Sequence, residues 1–346
     1  MSNGSGPVKS IFTISLDFEL HWGVSDRHTV ETYGLNLRNT RRAIDGMLEL
    51  YKKYNVHVTW ATVGMLFCRK KEELFSYVTE EMRPHYTVKS FSNYTVAEGA
   101  GADETADPFH FAPSVLEKIR QVPGQEIGTH TFSHYYTLED GQNPEQFRAD
   151  LQAAIRIAGE YGIKLHSIVF PRMQYDERYI QILKEVGISY YRGSQPVLEY
   201  APVSRLLETR KRRMTRFLDS YINYKGRHLY PVKDLMNQQL PVNVPQSLFL
   251  RPFSNKLSFL EFMKLRRIKK QMTKAAQTGS LYHLWWHPHN FGNNVEKNMK
   301  FLEEILKHYQ YLSGKYGMVS LNMEEAGKLF ESKPAYAAHS VAGVPV

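Results

Sequence analysis

Four short apolar, β-rich runs in this chain each end in a polar cluster, and that recurrence restricts the fold more than any other feature. The first, Ile11–Val24 (IFTISLDFELHWGV), stops at Asp17, Glu19 and His21. Gln125–Gly128 leads into His130 and His134, and His166–Phe170 runs into Arg172 and Gln174. Leu281–Trp286 (LYHLWW) ends in His287 and His289. Residues i and i+2 of a strand share a face, so Asp17, Glu19 and His21 are expected on one side and Leu16, Phe18 and Leu20 on the other. Two carboxylates on one buried face repel each other unless a cation or a proton sits between them. Helical patterns separate these runs, which predicts an α/β fold with a parallel sheet and crossover helices. A barrel and a doubly wound sheet both fit, and both gather their chemistry at the carboxyl ends of the strands.

In chain order, a loop is expected at 30–37. A helix is expected at Asn39–Tyr54, with Ile44, Met47, Leu48 and Tyr51 at helical spacing, then a strand at Val56–Ala61. Residues 75–113 carry Pro84, Gly99, Gly101 and Pro108 without periodicity and read as an insertion. Ser114–Gln121 reads as a helix capped by Ser114. Asn143–Gly162 reads as one capped by Asn143, with Pro144 in its first turn. A helix at Glu177–Val186 closes at Gly187, and a strand at Ile188–Tyr191 runs into Arg192. Past Ser194 the pattern weakens until a basic helix at Leu257–Gln277. Beyond Leu281–Trp286 come a helix at Val295–Lys315, a strand at Tyr316–Leu321 and a helix at Met323–Phe330. We expect one domain over 1–330, with insertions at about 75–113 and 194–280, and a flexible tail at 331–346.

Of the 346 residues, 42% are hydrophobic, enough for a large core and too many for a disordered chain. The single cysteine, Cys68, excludes an intramolecular disulfide and reads as an inert buried thiol. No run approaches the ~18 apolar residues of a membrane span, and MSNGSGPVKS lacks an apolar signal core. A cytoplasmic protein is the expectation. The net charge of +9 concentrates at Arg205–Arg216 and Lys264–Lys274. Such patches attract polyanions or an anionic membrane surface, or are solvated helix faces. No recognition motif accompanies them, so nucleic acid is not the expected partner.

His130 and His134, four apart, can share one face and grip one metal ion. Adding Glu19 gives two imidazoles and a carboxylate, the ligand set of a catalytic zinc site with an open position for water. Asp17, left off the metal, would take a proton as general base, and His287 from the far side would supply one to a leaving amine.

These motifs resemble those of the polysaccharide deacetylases, the NodB-type carbohydrate esterase family 4. Ser15–Glu19 (SLDFE) is similar to the family's acidic strand end. His130–His134 (HTFSH) resembles its second motif, Phe170–Tyr175 (FPRMQY) its third, and Leu284–His287 (LWWH) its last. The resemblance spans roughly residues 10–325. It implies a distorted (β/α) barrel with about seven parallel strands and long inserted loops, dependent on zinc or another divalent metal such as cobalt. It further implies removal of acetyl groups from N-acetylated sugars. By position, Asp17 would be the base, His287 the acid, and Glu19, His130 and His134 the metal ligands. Arg172 would hold the Asp17 carboxylate, and Leu284 would line the acetyl pocket. Gln174, Tyr175 and His289 are candidate substrate contacts. Glu19 stands where the family more often has Asp, and no residue after Ile188–Tyr191 matches the acid that orients the catalytic histidine. The substrate would be an acetylated sugar or glycan, anionic or lipid-linked, with peripheral contact at the inner membrane face. A small non-sugar amide or formyl substrate, and glycan binding without catalysis, are the alternatives.

Overall fold

A computed structural model describes residues 9–332. The polar start of the chain up to residue 8, and the expected tail from residue 333, lie outside the described residues. Glu331 and Ser332 pair with Gln238.

Five strands lie side by side in chain order, all parallel: β1 (Ile11–Phe18), β2 (Val58–Thr62), β3 (Gln125–Thr129), β4 (Ser167–Ile168) and β5 (Tyr190–Tyr191). The short β6 (Tyr230–Pro231) runs antiparallel to the strand Ser280–Trp286. The extended segment that follows is split. Its first half, β7 (Val242–Asn243), pairs with β5, and its second, β8 (Leu248–Phe249), pairs with β9 (Ser280–Trp286). β9 in turn flanks β1, so the sheet curls into a distorted (β/α) barrel. β10 (Val319–Ser320) pairs with the first residues of β1.

β1 is buried along its whole length, as a strand covered on both faces must be. Its even positions, Phe12, Ile14, Leu16 and Phe18, pack outward into the layer between sheet and helices. The odd positions face inward, where Ile11 joins a second apolar cluster and Ser15 and Asp17 form polar contacts. β9 repeats this, with Tyr282, Leu284 and Trp286 outward and His283 inward against Ser15. The closing helix Met323–Phe330 seals the amino-terminal end of the barrel with Met323, Ala326 and Phe330. The interior is therefore an apolar plug at one end, a layer of hydrogen-bonded polar groups above it, and the site at the other end.

The first helix runs from Val30 to Tyr54, so the loop expected at 30–37 is instead its first two turns. Thr29 and Thr32 form a capping box there. Gly34 and Leu37 are buried, on the half of the helix that packs against the turn Pro288–Asn293. The helix after the insertion starts at Pro113, and Ser114 is spent on Glu104 rather than on a cap. Tyr316 and Gly317 end a helix rather than begin the last strand, since Gly317 takes the left-handed conformation that terminates it.

At the plugged end, Glu126 of β3 is buried. It accepts hydrogen bonds from Thr59 Oγ1 at 2.5 Å and from the Glu324 amide at 3.0 Å, while Oε1 has no partner. Burial pushes its carboxyl up to about 7. A pKa raised in the folded state stabilises fully below the unfolded value of ~4.3 and is lost as pH climbs towards 7. Glu126→Gln should therefore leave stability near pH 4 unchanged and raise it at pH 8 by up to ~3 kcal/mol. Urea unfolding at the two pH values reads this, and an equal change at both would contradict it.

Candidate metal centre and cleft

Three buried side chains meet at the carboxyl ends of β1 and β3. The Glu19 Oε2 atom lies 3.0 Å from His134 Nε2 and 3.3 Å from His130 Nε2. One ligand atom from each of the three falls within 4.8 Å of the others, a grouping suited to a metal ion. His130 Nδ1 donates to the Val169 carbonyl at 2.7 Å, which fixes the ring so that Nε2 faces Glu19. Burial lowers His134 to about 4, which favours its neutral imidazole. A buried carboxylate oxygen flanked by two imidazole Nε2 atoms is a donor set that fits a divalent metal. Glu19 is longer than the aspartate that the resemblance leads one to expect, and Gly23 makes the room. A Cβ at Gly23 would overlap the Glu19 carboxylate.

The loop that carries the two histidines is held by a residue the sequence did not single out. Asp150, on the helix Pro144–Glu160, accepts from the Phe132 amide at 2.6 Å, the Ser133 amide at 3.1 Å and Ser133 Oγ at 2.5 Å. It thereby bridges a turn in which Thr131 and His134 both have positive φ.

Asp17 is buried beside this cluster. Arg192, also fully buried, grips it with two bonds, Nη1 to Oδ1 at 2.7 Å and Nη2 to Oδ2 at 2.8 Å. Nη1 also donates to Ser15 Oγ at 2.9 Å, and the guanidinium lies 4.2 Å over the Trp285 ring. Burial raises the Asp17 carboxyl most, but the charge of Arg192, the neighbouring His130 and His287 and the Arg192 hydrogen bonds together outweigh it and hold the group below its ordinary value. This corrects the expectation for Arg172. With φ of 55°, Arg172 turns away and pairs with Asp26 at 2.6 Å, stacking 4.0 Å over Tyr136. Arg192 directly follows β5, so the fifth strand delivers the charge expected from the loop after the fourth.

His287 stands across the cleft, its Nε2 3.7 Å from Asp17 Oδ2 and 3.5 Å from Glu19 Oε1. Asn290 donates from Nδ2 to His287 Nδ1 at 3.2 Å, and its Oδ1 accepts from Tyr33 OH at 3.1 Å. Those bonds fix the amide's orientation and leave the proton of a neutral His287 on Nε2, facing the site. Asn290 thus orients the imidazole where the sequence offered no acid for that task.

The other expected contacts divide. His289 is buried in the cleft wall, its Nε2 3.9 Å from Glu19 Oε1, and burial lowers it to about 3. Gln174 lines the cleft but spends its amide on Glu139 at 2.6 Å and on the Val203 carbonyl at 3.2 Å. Tyr175 lies outside the lining, since its hydroxyl accepts from the Ser194 amide at 2.8 Å and its ring packs on Phe170 and Tyr191. Leu284 points outward into the core, because it lies an odd number of positions from His287 on an alternating strand. Trp285, two before His287, takes the cleft face instead, beside Phe249. His21 is second in a chain behind the wall, hydrogen-bonded to His110 at 2.8 Å, which bonds Asp107 at 2.7 Å.

The cleft encloses about 490 Å³, the size of a small-molecule site. Six arginines line it, Arg27, Arg172, Arg205, Arg213, Arg216 and Arg251. Asp26 alone serves three of them, Arg27, Arg172 and Arg205.

The polysaccharide deacetylase family model matches residues 38–191. The fold is similar to that of a Mycobacterium smegmatis protein assigned, but not demonstrated, as a polysaccharide deacetylase (TM-score 0.57, 13% identity, covering 94% of this chain and 92% of that one). It is similar also to a probable polysaccharide deacetylase from Pseudomonas aeruginosa PAO1 (TM-score 0.52, 12% identity, 92% and 89% covered). PuuE allantoinase matches as well (TM-score 0.54, 11% identity, 94% of both chains). At such identities these likenesses speak for the fold alone. No curated protein sequence matches the chain.

Proposed function

We propose, from the match of residues 38–191 to the polysaccharide deacetylase family model, that this chain hydrolyses the N-acetyl group of an amino sugar in a glycan or glycan precursor. The observation that carries the reading is the separation of two buried carboxylates into two environments. Glu19 faces the Nε2 atoms of two imidazoles, and Asp17, beside it, is gripped by the Arg192 guanidinium.

Glu19, His130 and His134 would hold a divalent metal, zinc or cobalt, which when bound supplies a Lewis acid and a water of lowered pKa. Asp17, off that centre, takes the proton from the attacking water as general base. Arg192 fixes the rotamer of Asp17 and keeps it charged before the step. His287, in its imidazolium form, would donate the Nε2 proton to the departing amine and return to the neutral ring beside Asn290. Trp285 and Phe249 give the cleft an apolar wall against which an acetyl methyl packs. The surplus of arginine around the cleft favours an anionic or lipid-linked sugar, met in the cytoplasm at the membrane face.

Purified protein should carry about one divalent metal per chain. His130→Ala, which removes one ligand and leaves Asp17 untouched, should lose it. Elemental analysis of both proteins decides the matter, and full metal content in His130→Ala would contradict the ligand set.

A further inference from the structure

The helix Arg210–Tyr221 presents different chemistry on two faces. Arg213, Arg216 and Ser220, at helical spacing, line the cleft. Arg210, Met214 and Leu218, each four apart, point away from it with Lys211 and are exposed. The turn before the helix bears Leu206, 81% exposed, and Leu207, 64% exposed. Leu198, 78% exposed, lies on the turn Leu198–Tyr200 that packs against the same helix, and Ile222 directly follows it, also exposed. Most of the large exposed apolar side chains among the described residues belong to this one stretch and to Phe259 and Phe262, on either side of the start of the helix Glu261–Thr278. Single exposed leucines are ordinary, but a cluster of them among lysine and arginine has the composition of an interfacial helix.

We propose that the face formed by residues 198–222 docks on an anionic lipid bilayer and so sets the mouth of the cleft against the membrane surface. This deepens the reading under Proposed function by giving the location of its substrate, and it rests on that reading for the substrate's chemistry. Charge complementarity selects the occupant. Arg210 and Lys211 stand on the exposed face beside Met214, and neither has an ion-pair partner among the described residues. In the basic segment Lys264–Lys274, Lys264 pairs with Glu261, Arg267 with Asp219 and Lys269 with Glu304, while the exposed Arg266, Lys270 and Lys274 have no ion-pair partner among the described residues; the leucine cluster is what sets the face at 198–222 apart. Leucines beside Arg210 and Lys211 can enter the headgroup region while the cations meet lipid phosphates. The same helix turns Arg213 and Arg216 inward, so a sugar joined to lipid through a phosphate would enter the cleft along a path of like charge.

Co-sedimentation of the intact protein with vesicles tests this. Binding is expected to vesicles of 30% phosphatidylglycerol in phosphatidylcholine, to weaken as NaCl rises, and to be absent with phosphatidylcholine alone. Leu206→Glu/Leu207→Glu should abolish it, and Arg210→Glu/Lys211→Glu should weaken it by roughly fivefold or more per reversed charge. Neither pair touches the cleft, so both variants should release acetate from a water-soluble acetylated amino sugar at the parental rate. Failure of the parent to bind the anionic vesicles, or undiminished binding by the two double variants, would overturn the proposal. So would a concentration-dependent dimer of the parent, abolished by Leu206→Glu/Leu207→Glu, without vesicle binding. Vesicle binding needs no turnover, so it fails or succeeds independently of the proposed deacetylation.

Discussion

Asp17→Asn is expected to keep its metal and to release acetate about 10²- to 10⁴-fold more slowly than the parent, the usual contribution of a positioned general base. The substitution is nearly isosteric, and the ligand atoms of Glu19, His130 and His134 lie on other residues. What changes is the capacity to accept a proton. One of the two oxygens gripped by Arg192 also becomes an N–H donor facing an N–H donor. Steady-state acetate release and metal content, measured on the same preparation, separate loss of the base from loss of the centre. A rate within a few-fold of the parent would move the base elsewhere, with Glu19 the next carboxylate in reach.

The largest effect on stability is expected at Arg192→Met. Arg192 is fully buried, and removing it strands the Asp17 carboxylate inside the barrel with no equivalent counter-charge. Breaking a buried ion pair from one side destabilises by about 3–5 kcal/mol, mostly the penalty of the charge left behind. Adding Asp17→Asn to Arg192→Met removes that charge, so the double variant should recover much of the loss. Denaturant unfolding of the two single variants and the double one reads the coupling. Simple additivity would mean that the pair contributes nothing as a pair. Arg192→Lys keeps the charge without the fork and should fall between the parent and Arg192→Met.

The features legible in the sequence are those carried by long elements and by spacing. β1 and β9 are eight and seven residues long, so their alternation and polar ends could be read directly. His130 and His134 announced themselves through their separation and Glu19 through its place at a strand end, and the fold brings all three together. The two-residue β4 and β5 were still found, inside the apolar runs 166–170 and 188–191, but β7 and β8 have no such run around them, so the segment completing the barrel through 242–249 was not visible. Arg192 was seen at the end of β5, but nothing in its local sequence shows that it reaches Asp17 on β1. Arg172 was the natural choice for holding Asp17 by motif position, but its left-handed backbone sends the guanidinium to Asp26 instead. Trp285 could have been found, because counting by two from His287 along β9 reaches it and passes over Leu284. Asn290 and Asp150 act through hydrogen bonds that cross between elements, and no local pattern signals such contacts.

Acetate release from N-acetylated amino sugars, followed before chelation, after it and after restoring one divalent metal, tests the central claim most directly. The account predicts release by the purified protein, its loss on chelation, and its return with zinc or cobalt. Release that survives complete removal of the metal, or none from any acetylated amino sugar by fully loaded protein, would contradict it.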